Sequence, residues 1–189
     1  MRAILALLSF VVFVFADTID DSAAAAKTDD YSKAIAEYTQ TIKLNPLNAQ
    51  AYNNRGFLYQ NLNDHTKAIA DFTQAINVDP KYANAYYNRG NSHHNLGDYS
   101  KAIADFTQVI NFGYPKLASA YSNRGYSYAE LGDIKKAIAD FTQAINIDSN
   151  NVGAYIGRYK LYILLGDHSK AAHDAHKACE LEDYGYCNF

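Results

Sequence analysis

Residues 51–80 read AYNNRGFLYQNLNDHTKAIADFTQAINVDP, and the stretch returns almost unchanged further along the chain. Asn54-Arg55-Gly56 recurs as Asn88-Arg89-Gly90 and Asn123-Arg124-Gly125, while AIADFTQ begins at Ala68, Ala102 and Ala137. The arginines are 34, 35 and 34 residues apart, counting on to Arg158. A fixed period of this length marks an array of small supersecondary units, each too thin to bury its own apolar face.

With Ala49 as position 1, position 4 is Tyr52, Tyr86, Tyr121 and Tyr155, position 8 is Gly56, Gly90 and Gly125, and position 11 is Tyr59, His93, Tyr128 and Tyr162. These spacings fall on one face of a helix, with a small residue between two large ones. Positions 15 and 16 are Asn63-Asp64, Gly97-Asp98, Gly132-Asp133 and Gly166-Asp167. A left-handed Gly or Asn stops the first helix, and the Asp starts the second. That second helix places Ala68, Phe72 and Ala75 on one face, widened by Ile69 and Ile76, and Pro80 closes the unit. Each unit is therefore expected to be a helix–turn–helix hairpin.

An aromatic at 4, Gly at 8, aromatic at 11, Ala at 20, Phe at 24, Ala at 27 and Pro at 32 resembles the tetratricopeptide repeat (TPR) family. The resemblance implies an all-α fold, a right-handed superhelical solenoid of about five hairpins and ten helices. The units run 49–82, 83–117 with one extra residue at Asn111–Pro115, and 118–151. A degenerate, polar N-terminal cap is expected over 17–48, where Tyr31, Ala34, Ile35 and Tyr38 hold second-helix places. A degenerate C-terminal unit over 152–189 keeps Tyr155, Tyr162 and Ala171 but has Tyr159 at position 8 and Ala175 at position 24. Terminal units of solenoids depart from the pattern because one side faces water.

The same resemblance implies that first helices line a concave groove through positions 2, 5, 6, 9, 12 and 13. Position 6 is Asn54, Asn88 and Asn123; position 9 is Phe57, Asn91 and Tyr126; position 13 is Asn61, Asn95 and Glu130. Position 5 adds Asn53, Tyr87 and Ser122, and position 12 adds Gln60 and His94. Carboxamides donate to and accept from a peptide backbone, and a ladder of them one repeat apart suits an extended ligand. The competing reading is that the position-6 amides only tie neighbouring helices together. The Lys and Arg clamp that some TPR domains use on a C-terminal carboxylate is not visible at these positions, which speaks against ligands of that kind.

Arg at position 7 and Asp at position 23 (Asp71, Asp105, Asp140, Asp174) look like an ion pair repeated in each hairpin. An arginine row binding anions is the alternative. His173, His176 and Cys179 are spaced by three and share a helix face, yet without a carboxylate or a second paired site they make a weak zinc set, and no metal or cofactor is expected. No Ser/His/Asp set, phosphate loop or carboxylate pair is recognisable, so no enzyme is expected.

Arg2 precedes an apolar run from Ala3 to Phe15, and acidic and polar residues follow Ala16 at once. Residues 1–16 read as a signal peptide cut after Ala16, with an uncleaved anchor or an apolar first helix as alternatives. The mature chain carries no span of the roughly 20 apolar residues a membrane helix needs. Export, to a periplasm or the medium, sets the reading of the two cysteines. Cys179 falls where other units carry Ile42, Ile76, Ile110 and Ile145, and Cys187 follows eight residues later. In an oxidising compartment they are expected to form a disulfide, with a free thiol pair as the alternative. The segment KACELEDYGYC is similar to disulfide-bearing TPR-like repeats of secreted bacterial cysteine-rich proteins, over this short stretch only. Such a bridge would cap the tail and contribute about 2–3 kcal/mol.

A net charge of −3 and a pI near 6.0 give no basic surface for nucleic acid. The expected function is an exported module that binds an extended peptide or protein segment. The alternatives are a scaffold or self-assembling envelope protein using convex or end surfaces, and, less favoured, a cell-envelope hydrolase.

Overall fold

The computed structural model describes residues 21–113 and 115–182. Segment 1–16, Tyr114 and Cys187 lie outside the described residues, and with them the signal-peptide and disulfide expectations. Nine helices are present among the described residues: α1 (Asp21–Leu44), α2 (Ala49–Asn61), α3 (His65–Val78), α4 (Ala83–Asn95), α5 (Tyr99–Asn111), α6 (Leu117–Glu130), α7 (Ile134–Ile147), α8 (Val152–Leu165) and α9 (His168–Glu182). They divide into two compact units, one ending at Asn88 and the other beginning at Arg89.

In the first unit the α2–α3 hairpin shows how the repeat builds itself. Asn48 caps α2 by accepting from the Ala51 amide at 2.9 Å. Asn63 takes a left-handed φ of 58°, which reverses the chain. Asp64 then caps α3 by accepting from the Lys67 amide at 3.1 Å, and the Lys67 ammonium folds back on the same carboxylate at 2.6 Å. The two helices meet where Phe72, fully buried, lies across Gly56. A Cβ on Gly56 would stand 2.8 Å from the Phe72 ring, so the missing side chain sets the helix separation. Ala75, Ile76 and Ala85 form a small core with Tyr52, Tyr82 and Tyr86 against it.

The N-terminal cap departs from the expected pair of helices. α1 is one continuous helix of 24 residues. Asp29 and Asp30 hold positions 15 and 16 there, so the Gly or Asn that breaks every later hairpin is missing. Nothing stops the helix, and it runs on until the Asn45–Pro46 turn.

The second unit holds the hairpins α6–α7 and α8–α9, with α5 and the end of α4 before them. Its core gathers Ala129, Ala137, Phe141, Ala144, Ala154 and Leu161, with Tyr121, Tyr126 and Tyr128 packed against it. Phe141 is the centre: its ring meets Tyr126 edge-on at 4.9 Å and lies against Gly125 of α6 and Gly157 of α8. A left-handed Gly132 (φ 79°) turns α6 into α7. Beyond α9 no further described helix follows, and a groove of about 540 Å³ runs between α8 and α9, lined by Tyr159, Ile163, Ala171, Ala172, Ala175 and Cys179 among others.

Candidate functional site

The arginine that reveals the period is part of the scaffold. Arg55, Arg89, Arg124 and Arg158 each hold Asp71, Asp105, Asp140 and Asp174 in a two-pronged pair, every bond between 2.7 and 2.9 Å. The hydrogen bond to Asp140 raises the Arg124 pKa, and the bonds to Asp71 and Asp174 do the same for Arg55 and Arg158. A third contact was not legible from spacing. Arg55, Arg124 and Arg158 also donate to Thr39, Thr107 and Thr142 of the preceding hairpin or cap, at 2.9, 3.0 and 2.9 Å. One guanidinium therefore ties three helices together, and its donors are not presented to an anion.

The inner-face positions divide between the two units. In the first, Asn54 donates to the Tyr38 hydroxyl at 3.2 Å, and Asn88 donates to Asn53 at 3.1 Å. Gln60 donates to the Asn88 carbonyl at 3.3 Å. Asn53 is buried, Tyr87 and Asn88 are half-buried, and Phe57 is 47% exposed. Phe57 is thus the exposed large apolar side chain among these positions of the first unit.

In the second unit Asn123 donates to Asn91 at 2.8 Å. His94 Nδ1 lies 3.0 Å from the Ser127 hydroxyl, which itself donates to the Asn123 carbonyl at 3.0 Å. The hydroxyl has a single proton, so His94 is the donor through Nδ1–H and keeps Nε2 as an acceptor. Burial lowers the His94 pKa, which favours that neutral form. Tyr126 donates to the Gly153 carbonyl at 2.5 Å, and burial pushes its phenol up to about 12. Asn95 is exposed.

The amides at position 6 are therefore engaged with neighbouring helices, as the competing reading requires. Each carboxamide nitrogen carries two protons and its oxygen two lone pairs, and Asn54 uses both ends, since its oxygen also accepts from Asn53 at 3.4 Å. Glu130 ends α6, and Lys160, at position 9 of α8, is half-buried. Lys160 stands one repeat beyond Tyr126, so extending the position-9 series to the last hairpin would have found it. Of the histidines on α9, His176 is exposed and pairs with Glu180 at 3.1 Å. Among the described residues no group of three His, Cys, Asp or Glu is placed to hold a metal, and no helix is long and apolar enough to cross a membrane.

The sequence matches the family model described as TPR repeat over residues 26–63 and 61–97, and that described as tetratricopeptide repeat over 83–112 and 118–151. The chain belongs to the tetratricopeptide repeat family. Its fold is similar to the crystal structure of MamA, with a TM-score of 0.77 at 24% identity, covering 88% of this chain and 97% of that one. It is also similar to YrrB, described as a TPR protein with an unusual peptide-binding site, with a TM-score of 0.67 at 22% identity over 77% and 75% of the two chains. The first TPR of Spaghetti (RPAP3) bound to the HSP90 peptide SRMEEVD gives a TM-score of 0.60 at 22% identity over 62% and 93%. No curated protein matches the chain. The fold class is an all-α helical solenoid.

Proposed function

We propose that the chain is an exported, non-catalytic protein-interaction module that holds an extended peptide or protein segment against the inner faces of its first helices. The carrying observation is the composition of those faces. Amides, tyrosines, the exposed Phe57 and, on α8, the exposed Ile163 and Leu164 occupy those positions, while the arginines are turned into ion pairs with the second helices. Carboxamides and phenols match a peptide backbone in both donor and acceptor character, and a single aromatic anchor supplies apolar area. That two structural neighbours are described with peptides or a peptide-binding site supports the reading.

Peptides selected from a random phage-displayed library on the full chain provide the test. Their affinity is expected to fall about tenfold in Phe57→Ala or in Asn88→Ala/Asn123→Ala, a loss of about 1.4 kcal/mol. Lys81→Ala, on an exposed loop, is expected to change nothing. Equal affinity across all three variants would sink the inner-face reading. Export and the Cys179–Cys187 bridge belong to the same proposal. Intact mass of the secreted protein tests both, through the loss of residues 1–16 and the two-hydrogen deficit of a disulfide.

The exposed Leu165 and Leu181 favour a second reading, a scaffold that assembles through its last hairpin. Light scattering over a concentration series separates the two, since a monomer at all concentrations leaves only the inner faces.

A further inference from the structure

The groove between α8 and α9 is the face that lies covered in the hairpin before it. Ala171, Ala172, Ala175 and Cys179 line the groove, and one repeat earlier their places are held by Ala137, Ile138, Phe141 and Ile145. All four of those earlier residues belong to the core of the second unit, which Ala154 and Leu161 of α8 complete. Alanine replaces both Ile138 and Phe141 in the last hairpin, and among the described residues no helix follows α9. What remains is an apolar slot of about 540 Å³, roomy enough for large side chains.

Residues 183–189, DYGYCNF, follow α9 directly and carry three aromatic rings. Their spacing repeats what covers the earlier hairpins. In the first unit Tyr86 follows Ile76 by ten residues and packs on the core of Ala75, Ile76 and Ala85. In the second, Tyr155 follows Ile145 by ten and is buried. Phe189 follows Cys179 by ten. Asn188 stands where Ala85 and Ala154 are buried, so the likeness is carried by the rings. The near end of the groove, from Ala175 to Glu180, starts about 10 Å back along α9 from Glu182. Seven extended residues reach about 23 Å, which is ample. Tyr184 and Tyr186 each join an apolar ring to a polar tip, which suits a slot that His176 and Glu180 also line.

We infer that residues 183–189 turn back onto α9 and seat Phe189 in the near end of the groove, against Ala175 and Cys179. The segment closes the last hairpin as a following first helix closes the others, and it withholds that apolar face from a second copy. The seat needs neither a bound peptide nor the Cys179–Cys187 bridge.

The full chain contains no tryptophan, so Phe189→Trp supplies a sole fluorophore. It is made together with Cys179→Ile, the residue other units carry at that place, and separately with Cys179→Glu; both lack the bridge. With Cys179→Ile, emission is expected to be blue-shifted and quenched by acrylamide severalfold more weakly than in a free peptide of residues 183–189 carrying the same tryptophan. With Cys179→Glu, a half-buried place that now holds a carboxylate beneath the ring, emission and quenching should return to those of the peptide. Peptide-like values with Cys179→Ile overturn the seat, and protection confined to the chain with both cysteines assigns the contact to the bridge instead. Equal protection in both variants places the ring away from the groove and overturns it too. Protection that grows with protein concentration makes a second copy the cover, which also overturns it.

Discussion

The hairpins α6–α7 and α8–α9 lie in one unit, share the repeat and keep the same polar lock, yet they invert its apolar part. Asp140 and Asp174 are both buried against their arginines at 2.7 Å. Position 24 is Phe141 in one, fully buried over Gly125 at position 8; in the other it is Ala175, and position 8 is Tyr159. The large ring has moved from the second helix to the first. Phe141 works because α8 follows and offers Gly157 as the second wall of its slot. After α9 no described helix supplies such a wall, and a phenylalanine there would stand in the groove that Ala175 helps line. The lesson is that the ion pair belongs to the hairpin, whereas the aromatic at position 24 belongs to the contact between hairpins.

Truncating the ring should give the largest effect and tests that division directly. Phe141→Ala is expected to cost about 3–5 kcal/mol, while Tyr159→Ala, half-buried, should cost about 1–2 kcal/mol. Urea unfolding of both variants measures the gap, and equal costs would mean that the two rings do the same job.

The lock should behave oppositely. Asp140→Ala and Asp174→Ala each strand a largely buried guanidinium and are expected to cost about 3 kcal/mol in both hairpins. Thermal melts would contradict the comparison if only the inner hairpin suffered.

Close approach comes next. Gly125→Ala places a Cβ about 3.0 Å from the Phe141 ring and should cost about 1–3 kcal/mol. The same change made together with Phe141→Leu should cost less than the sum, because the ring is what the methyl meets.

The smallest effect is one of pH, and it extends the comparison to the hairpin α4–α5. There position 11, a tyrosine in the other three hairpins, is His93, buried, with Nδ1 3.6 Å from Asp98 and no hydrogen bond. Lys67, Lys136 and Lys170 lie over the corresponding tyrosine rings at 5.2 to 5.4 Å. The charged groups facing His93 are Asp105 and Asp98, which favour its protonation, and Arg89 and Lys101, which oppose it; burial is the largest influence and lowers its pKa. With the folded value below the ordinary 6.5, the unfolded chain takes up the proton first as pH falls. Stability is therefore complete above about pH 6.5 and declines below it. His94, also lowered by burial, adds in the same direction. His93→Tyr should flatten part of that decline between neutral pH and the carboxylate range, and a variant melting in parallel with wild type at every pH would show His93 to be silent.

Much of this was legible in residues 51–80. The hairpin boundaries follow from Asn63-Asp64 and its Gly-Asp successors, since left-handed residues and capping carboxylates act locally. The Arg–Asp pairs were readable for a related reason: positions 7 and 23 are fixed by the hairpin that contains both. The threonines that share the arginines were not, because Thr39, Thr107 and Thr142 belong to the element before. The cap is one helix where the repeat predicts two, because Asp29 stands at the place of a Gly or Asn. The amides lie on the first helices α2, α4 and α6, but spacing could not say that Asn123 is bonded to Asn91 and Asn54 to Tyr38. Lys160 was overlooked because the last hairpin looks degenerate.

The sequence by itself determined the period, the helices, their turns and the polar lock, because each is settled within one hairpin by capping, backbone freedom and side-chain spacing. Only the tertiary structure decided which polar groups are already partnered. That depends on the register between successive first helices, which no residue encodes alone. It ties Asn54 to Tyr38, Asn88 to Asn53 and Asn123 to Asn91, bonds that spacing along the chain does not reveal.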